Sequence, residues 1–300
     1  MNKDAFSGYH PTVNILYFVL VIGLAMFLNH LICLGISFLC ALTYSIYLKG
    51  KKAVRFNLIY MLPLLIITAL INPAFSHQGV TILTYLPSGN PLTLESIIYG
   101  VFAAFLLITV IAWFSCFNAV MTSDKFVYLF GRIIPALSLV LSMCLRFVPR
   151  FKAQVKVITN AQKCVGRDVS NGGIIKRAKH GIKILSILVT WALENAIDTA
   201  DSMKSRGYGL PGRTAFSIYR FDKRDKKVLL FLLLCGTGVI AGMVLGKLKY
   251  VYMPIMFGAA FDFWQAGVFA LYLTLCAMPL IINGRENVKW KTINKTPIPV

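Results

Sequence analysis

An all-α, polytopic membrane protein, with about six transmembrane helices and a cytoplasmic block of amphipathic helices, is predicted by three features of the sequence. The 300 residues are 57% hydrophobic and 14% charged, with a mean hydropathy of +0.71, outside the range of soluble globular chains. Apolar runs of near-spanning length recur between turn signals. The net charge of +20 is unevenly spread: residues 146–227 hold 18 Lys/Arg and 6 Asp/Glu, which marks that block as cytoplasmic. The predicted organisation is N-terminal transmembrane helices over 1–130, cytoplasmic-side helices over 131–227, and C-terminal transmembrane helices with a basic tail over 228–300.

Residues 13–29 and 31–48 are two apolar runs that read as a helical hairpin, and no cleavable signal peptide is expected ahead of them. Four cations within residues 49–55 place the next turn, and hence the N-terminus, in the cytoplasm. Residues 57–71 return outward and are expected to stop at Asn72-Pro73. The loop 73–93 carries no Lys or Arg, as an external loop should. Residues 94–117 span again. Residues 133–145, bounded by Arg132 and Arg146 and interrupted by Pro135, are too few for a crossing and predict an interfacial or internally packed helix. Phe147-Val148-Pro149-Arg150 is expected to break it, and Phe151, Val155, Ile158, Gln162 and Val165 mark one stripe of a separate amphipathic helix.

Within residues 180–214, Leu185, Leu188, Ala192, Leu193, Ala196, Ala200 and Met203 recur at steps of three and four, which is one helix face. Gly207 is expected to end that helix in the left-handed conformation, with Arg206 in its last turn near the negative end of the dipole. Gly181, Ala192, Ala196 and Ala200 are small enough for close helix crossing. Residues 228–245 cross outward; 250–263, interrupted by Pro254 and Asp262, and 266–282 bring the chain back. The basic tail 285–295 then lies inside, so both termini are expected in the cytoplasm. Lys247 and Lys249 fall outside, against the charge rule.

Several chemistries find no support. The seven cysteines form no C-x-x-C pair, and His10, His30, His77 and His180 show no ligand spacing. No cofactor is expected. Gly207, four residues and Gly212-Arg213-Thr214 imitate a phosphate-binding loop, but a helix precedes them where a strand is needed and Pro211 lies within. No aromatic-basic platform for nucleic acid accompanies the basic block. Glu194, Asp198 and Asp201 share a helix face and suit magnesium in a membrane-embedded transferase. The alternative is a solvated face, supported by Lys204 three residues beyond Asp201. A secondary transporter lacks here the internally duplicated halves such folds show.

Both amphipathic helices of the basic block end at a glycine with an arginine beside it. A lone arginine there ordinarily compensates the helix dipole; two such ends predict tips that enter a partner's groove, the guanidinium pairing a carboxylate. At these residues the chain resembles the transmembrane T component of energy-coupling factor (ECF) transporters, ABC-type importers of vitamins and transition metals. The resemblance covers most of the chain: His10-Pro11, Asn72-Pro73, Leu145-Arg146-Phe147-Val148-Pro149, Ala161-Gln162 and residues 200–209, with Met203-Lys204-Ser205-Arg206-Gly207-Tyr208 the most specific. It implies a plasma-membrane scaffold with no catalytic residues of its own. Two cytosolic ABC ATPases, identical or different, would pull its coupling helices, and a separate membrane S component would bind the substrate. The implied ATPase-docking residues are Ser205, Arg206 and Gly207 on the second coupling helix and Val165, Gly166 and Arg167 on the first. There Cys164-Val165-Gly166 stands in place of Ala-Arg-Gly, which leaves two choices: Arg167 substitutes from a shifted tip, or one contact is weaker.

Overall fold

In lipid a backbone group has no water to bond, so the apolar runs close their hydrogen bonds within single helices. A computed structural model describes residues 4–76, 79–85, 91–170, 173–210, 219–246, 248, 250–252, 257–258 and 262–293. In chain order these form α1 (Pro11–Phe27), α2 (Leu31–Lys49) and α3 (Lys51–Phe56), which runs through a π-helical turn at Asn57–Met61 into α4 (Leu62–Phe75). A short antiparallel hairpin, β1 (Ile82–Tyr85) and β2 (Pro91–Thr93), leads into α5 (Leu94–Val120). Then come α6 (Ser123–Ile133), α7 (Pro135–Cys164), α8 (Ile174–Ser205), α9 (Lys223–Val244), a two-residue hairpin β3 (Tyr250–Val251) and β4 (Phe257–Gly258), and α10 (Phe263–Ile293). Five stretches are long and apolar enough to cross a membrane: α2, the continuous 51–75 segment, α5, α9 and α10. With the 17-residue apolar α1 they match the six predicted spans. His77, Pro211, Gly212, Arg213, Thr214, Lys247, Lys249 and Pro254 lie outside the described residues.

The chain divides into two units, the first made of Met1–Thr122 and Tyr219–Val300, the second of Ser123–Ile218. The first unit has an aromatic core in which Tyr17, Phe18, Trp113 and Tyr272 are fully buried. Two of its buried polar groups pair across helices: Trp113 Nε1 donates to Ser37 Oγ at 2.8 Å, and Tyr17 Oη donates to the Cys276 carbonyl at 3.0 Å, whereas the Tyr272 hydroxyl finds no hydrogen-bond partner among the described residues.

At one face, two carboxylates tie distant segments together. Asp4 accepts from Tyr44 Oη at 3.1 Å and from Asn283 Nδ2 at 2.5 Å, while Asn283 Oδ1 accepts from the Ala5 amide at 2.7 Å. Asp225 accepts from the His10 amide at 3.2 Å and from the Asp222 amide at 3.0 Å, completing a capping box at the start of α9. The segment before α1, the end of α2, the start of α9 and the end of α10 therefore share this face. At the opposite face the His30 ring meets Tyr250 and Phe269. Histidine serves as a cap in both places: His10 Nδ1 accepts from the Thr12 amide and His30 Nδ1 from the Ile32 amide, each at 3.3 Å.

Three expectations need correcting. Asn72-Pro73 does not end a helix, because α4 runs on to Phe75. Pro73 leaves the Ala69 carbonyl without its helical donor, and that carbonyl packs on α5, 2.7 Å from where a Cβ on Gly100 would stand. Pro149 does not break the chain into two helices either. Phe147 and Phe151 stack at 5.8 Å across it, a contact that needs helical i,i+4 spacing, and α7 is one helix of 30 residues. The break falls instead at Ile134, before Pro135 at the first turn, where a missing N–H costs nothing. Tyr250–Val251 pairs with Phe257–Gly258 rather than forming part of a span; beyond residue 282, α10 continues as helix to Ile293.

Replacing Gly100 by Leu should cost about 1–3 kcal/mol by overpacking α4 against α5, read as a lower unfolding temperature in detergent. Burial lowers the pKa of His30, whose Nδ1 must stay unprotonated to accept. That contribution is complete above the unfolded-state histidine value of about 6.5 and is lost as pH falls through the lower folded value. Thermal stability should therefore decline on acidification, and His30→Asn, which keeps a cap acceptor without titrating, should flatten that part of the profile.

Candidate docking site

The second unit is built from α6, α7 and α8, and it has almost no core of its own. Among its described residues only Ile158 and Ile184 are apolar and buried. α7 and α8, 30 and 32 residues long, are rods of about 45 and 48 Å. They meet where Phe151 packs edge-on against Trp191 at 5.9 Å and the Arg150 guanidinium lies 5.3 Å from the Trp191 ring centre. Arg150 Nη2 also donates to Asn195 Oδ1 at 2.8 Å, and Asn195 Nδ2 donates to the Trp191 carbonyl at 2.9 Å. Ala192 and Ala196 line a cleft of about 180 Å³ at this crossing, as small residues at a helix contact should. Gly181 has open space around it instead. Of the rest of the α8 stripe Leu188 and Met203 are half-buried, while Leu185 and Leu193, with the neighbouring Ile182, Val189 and Ile197, form an exposed apolar stripe.

Both rods end in the same way. At α7, Gly166 takes φ +77°, its amide donates to the Lys163 carbonyl at 3.0 Å, and the Arg167 amide donates to the Gln162 carbonyl at 2.9 Å. At α8, Gly207 takes φ +78°, its amide donates to the Lys204 carbonyl at 3.0 Å, and the Tyr208 amide donates to the Met203 carbonyl at 3.0 Å. Each is a Schellman motif, which locks the last turn and requires a residue at ease with positive φ. Ser205 closes α8, its Oγ donating to the Ser202 carbonyl at 2.9 Å. Arg206 follows as the cap residue, exposed to solvent, and no described acid forms an ion pair with it. At the α7 tip, Lys163 Nζ lies 3.5 Å from Asp168. The Ser170 amide, donating to Asp168 at 2.9 Å, holds that carboxyl below its usual range, and Lys163 adds to the effect.

Glu194, Asp198 and Asp201 are all exposed on α8, and among the described residues no group of three His, Cys, Asp or Glu converges as metal ligands would. Gly207 closes a helix C-terminus and so presents carbonyls, not the amides a phosphate needs. Sequence reasoning missed the Arg150–Trp191–Asn195 crossing. The signal was an arginine flanked by Phe147 and Phe151, opposite a single tryptophan on the next helix.

Residues 7–218 match the CbiQ family, described as cobalt transport protein. The chain belongs to that family. CbiQ membership makes it a multi-pass membrane transport component and bears out the family resemblance of the sequence as a whole. Among relatives, the energy-coupling factor transporter transmembrane protein EcfT of Lactobacillus helveticus is 42% identical over 105 residues, 34% of this chain and 38% of that protein. EcfT of Leuconostoc gelidum is 40% identical over 111 residues, 37% of this chain and 41% of that protein. The chain thus aligns with about two fifths of the length of these relatives.

Arg150→Ala removes the guanidinium from Trp191 and the bond to Asn195 together, an expected loss of about 1–3 kcal/mol at the crossing. Spin labels at Lys152→Cys and Thr190→Cys should report a broader distance distribution in that variant.

Proposed function

We propose that this chain is the coupling subunit of an ECF-type ABC importer. Two cytosolic ABC ATPases, whose closure on ATP supplies the motion, take the tips of α7 and α8. A separate membrane S component binds a vitamin or transition-metal cargo and receives that motion through the exposed apolar stripe of α8. The observation that carries this reading is Arg206: a guanidinium on a cap locked by two backbone bonds, exposed, and with no described acid of its own chain to neutralise it. Charge-assisted, bidentate pairing with a carboxylate in a partner's groove suits such a group. CbiQ membership and the EcfT relatives support it.

The cytoplasmic side is assigned by charge. Lys49, Lys51, Lys52 and Arg55 lie at or just after the end of α2, and Arg224, Lys226 and Lys227 at the start of α9. With Arg285, Lys289 and Lys291 in the last turns of α10, they cluster towards the face of the first unit that holds Asp4 and Asp225. Both termini are then cytoplasmic.

Arg206→Ala should weaken ATPase association by about 2 to 5 kcal/mol, because the partner's carboxylate is left buried without its cation. The measurement is ATPase retained per chain after purification in mild detergent, together with ATP-driven uptake in cells. Unchanged retention and unchanged uptake would sink the proposal.

A further inference from the structure

We propose that the two tips dock by different chemistry: α8 through the charge of Arg206, α7 through apolar contact of Val165, so that the groove receiving α7 is apolar and lacks the carboxylate that receives Arg206. This rests on the docking role proposed above and specifies what each partner surface must look like.

The caps decide which residues correspond. Val165 has φ −89° and ψ 12°, and Arg206 has φ −85° and ψ 10°; each precedes a glycine at positive φ and each sits inside the same pair of backbone bonds. Equal backbone angles at equal places send the Cα–Cβ bond in the same direction from the helix end. Lys163 therefore corresponds to Lys204, Val165 to Arg206 and Arg167 to Tyr208. A shifted tip, in which Arg167 replaced the missing arginine, would need the glycine and its two bonds to move along the chain, and they have not moved. Arg167 leaves from the position after the glycine, where the backbone has already turned.

Two further observations separate the tips. Val165 is 68% exposed, so the chain's own packing gives it no reason to be apolar. At the α7 tip Asp168 also lies against Lys163 at 3.5 Å, while at the α8 tip no described acid pairs with Lys204 or Arg206. A buried carboxylate in the α7 groove would meet a valine and stay unpaired, which costs more than the contact returns. An apolar groove gains from covering the same side chain.

The test uses the full chain co-expressed with the ABC ATPases of its own cell, with ATPase retained per chain as the readout. Size-exclusion profile and helix content confirm folding of each variant. Expected are a loss of at least about tenfold for Val165→Asp, and retention within about twofold of the parent for Val165→Leu and Arg167→Ala. If Arg167→Ala loses as much as Arg206→Ala while Val165→Asp retains the ATPases, the apolar contact is wrong and docking by charge at both tips is right. If Arg206→Ala also retains them in full, both proposals fall together.

Discussion

An unpartnered backbone N–H or C=O in an apolar medium costs several kcal/mol, and the ends of helices are where a chain must meet that cost. Different residues meet it at different ends here. His10 and His30 accept from the first free amides of α1 and α2, Asp222 and Asp225 close the start of α9, and Gly166 and Gly207 let α7 and α8 fold back on their own last carbonyls. The proposed partner contacts sit at the last two of these ends. A tip can direct a side chain outward reproducibly only if its final turn is fixed, and the paired bonds at residues 162–167 and 203–208 fix it.

The two units hold their shape by different means. The first buries a connected aromatic core and pairs its carboxylates with amides and side chains from segments more than 200 residues apart in sequence, such as Asp4 with Asn283 and Asp225 with His10. The second offers two long rods, their crossing and, among its described residues, two buried aliphatic side chains. Exposed isoleucine, leucine and valine along α8 fit the partner contact proposed above.

Much of this was legible in the sequence. The apolar runs gave the spans because length and composition alone select a helix in lipid, and the glycines of the basic block gave both rod ends because only a few residues tolerate positive φ. Proline misled twice. Pro73 and Pro149 each remove one bond, but the packing of Gly100 on the freed carbonyl and the stacking of Phe147 on Phe151 outweigh that local cost, and neither contact shows in a local pattern. The short pairing of Tyr250–Val251 with Phe257–Gly258 was hidden for the opposite reason: the apolar residues around it resemble a span, and the contacts of Tyr250 with His30 and of Tyr252 with Phe102 come from elsewhere in the chain. The sequence left open whether Arg167 stands in from a shifted tip, and the backbone angles were needed to set Val165 opposite Arg206.

Pro149 also sets where α7 can yield. A beam with one weakened section bends there before it bends anywhere else, and Pro149, inside α7, removes a hydrogen bond at the level of the aromatic stack. The stretch from Arg150 to Cys164 continues as helix beyond that point, so in the coupling role proposed above a push on its far end would be carried along it to Trp191, with that crossing as the fulcrum.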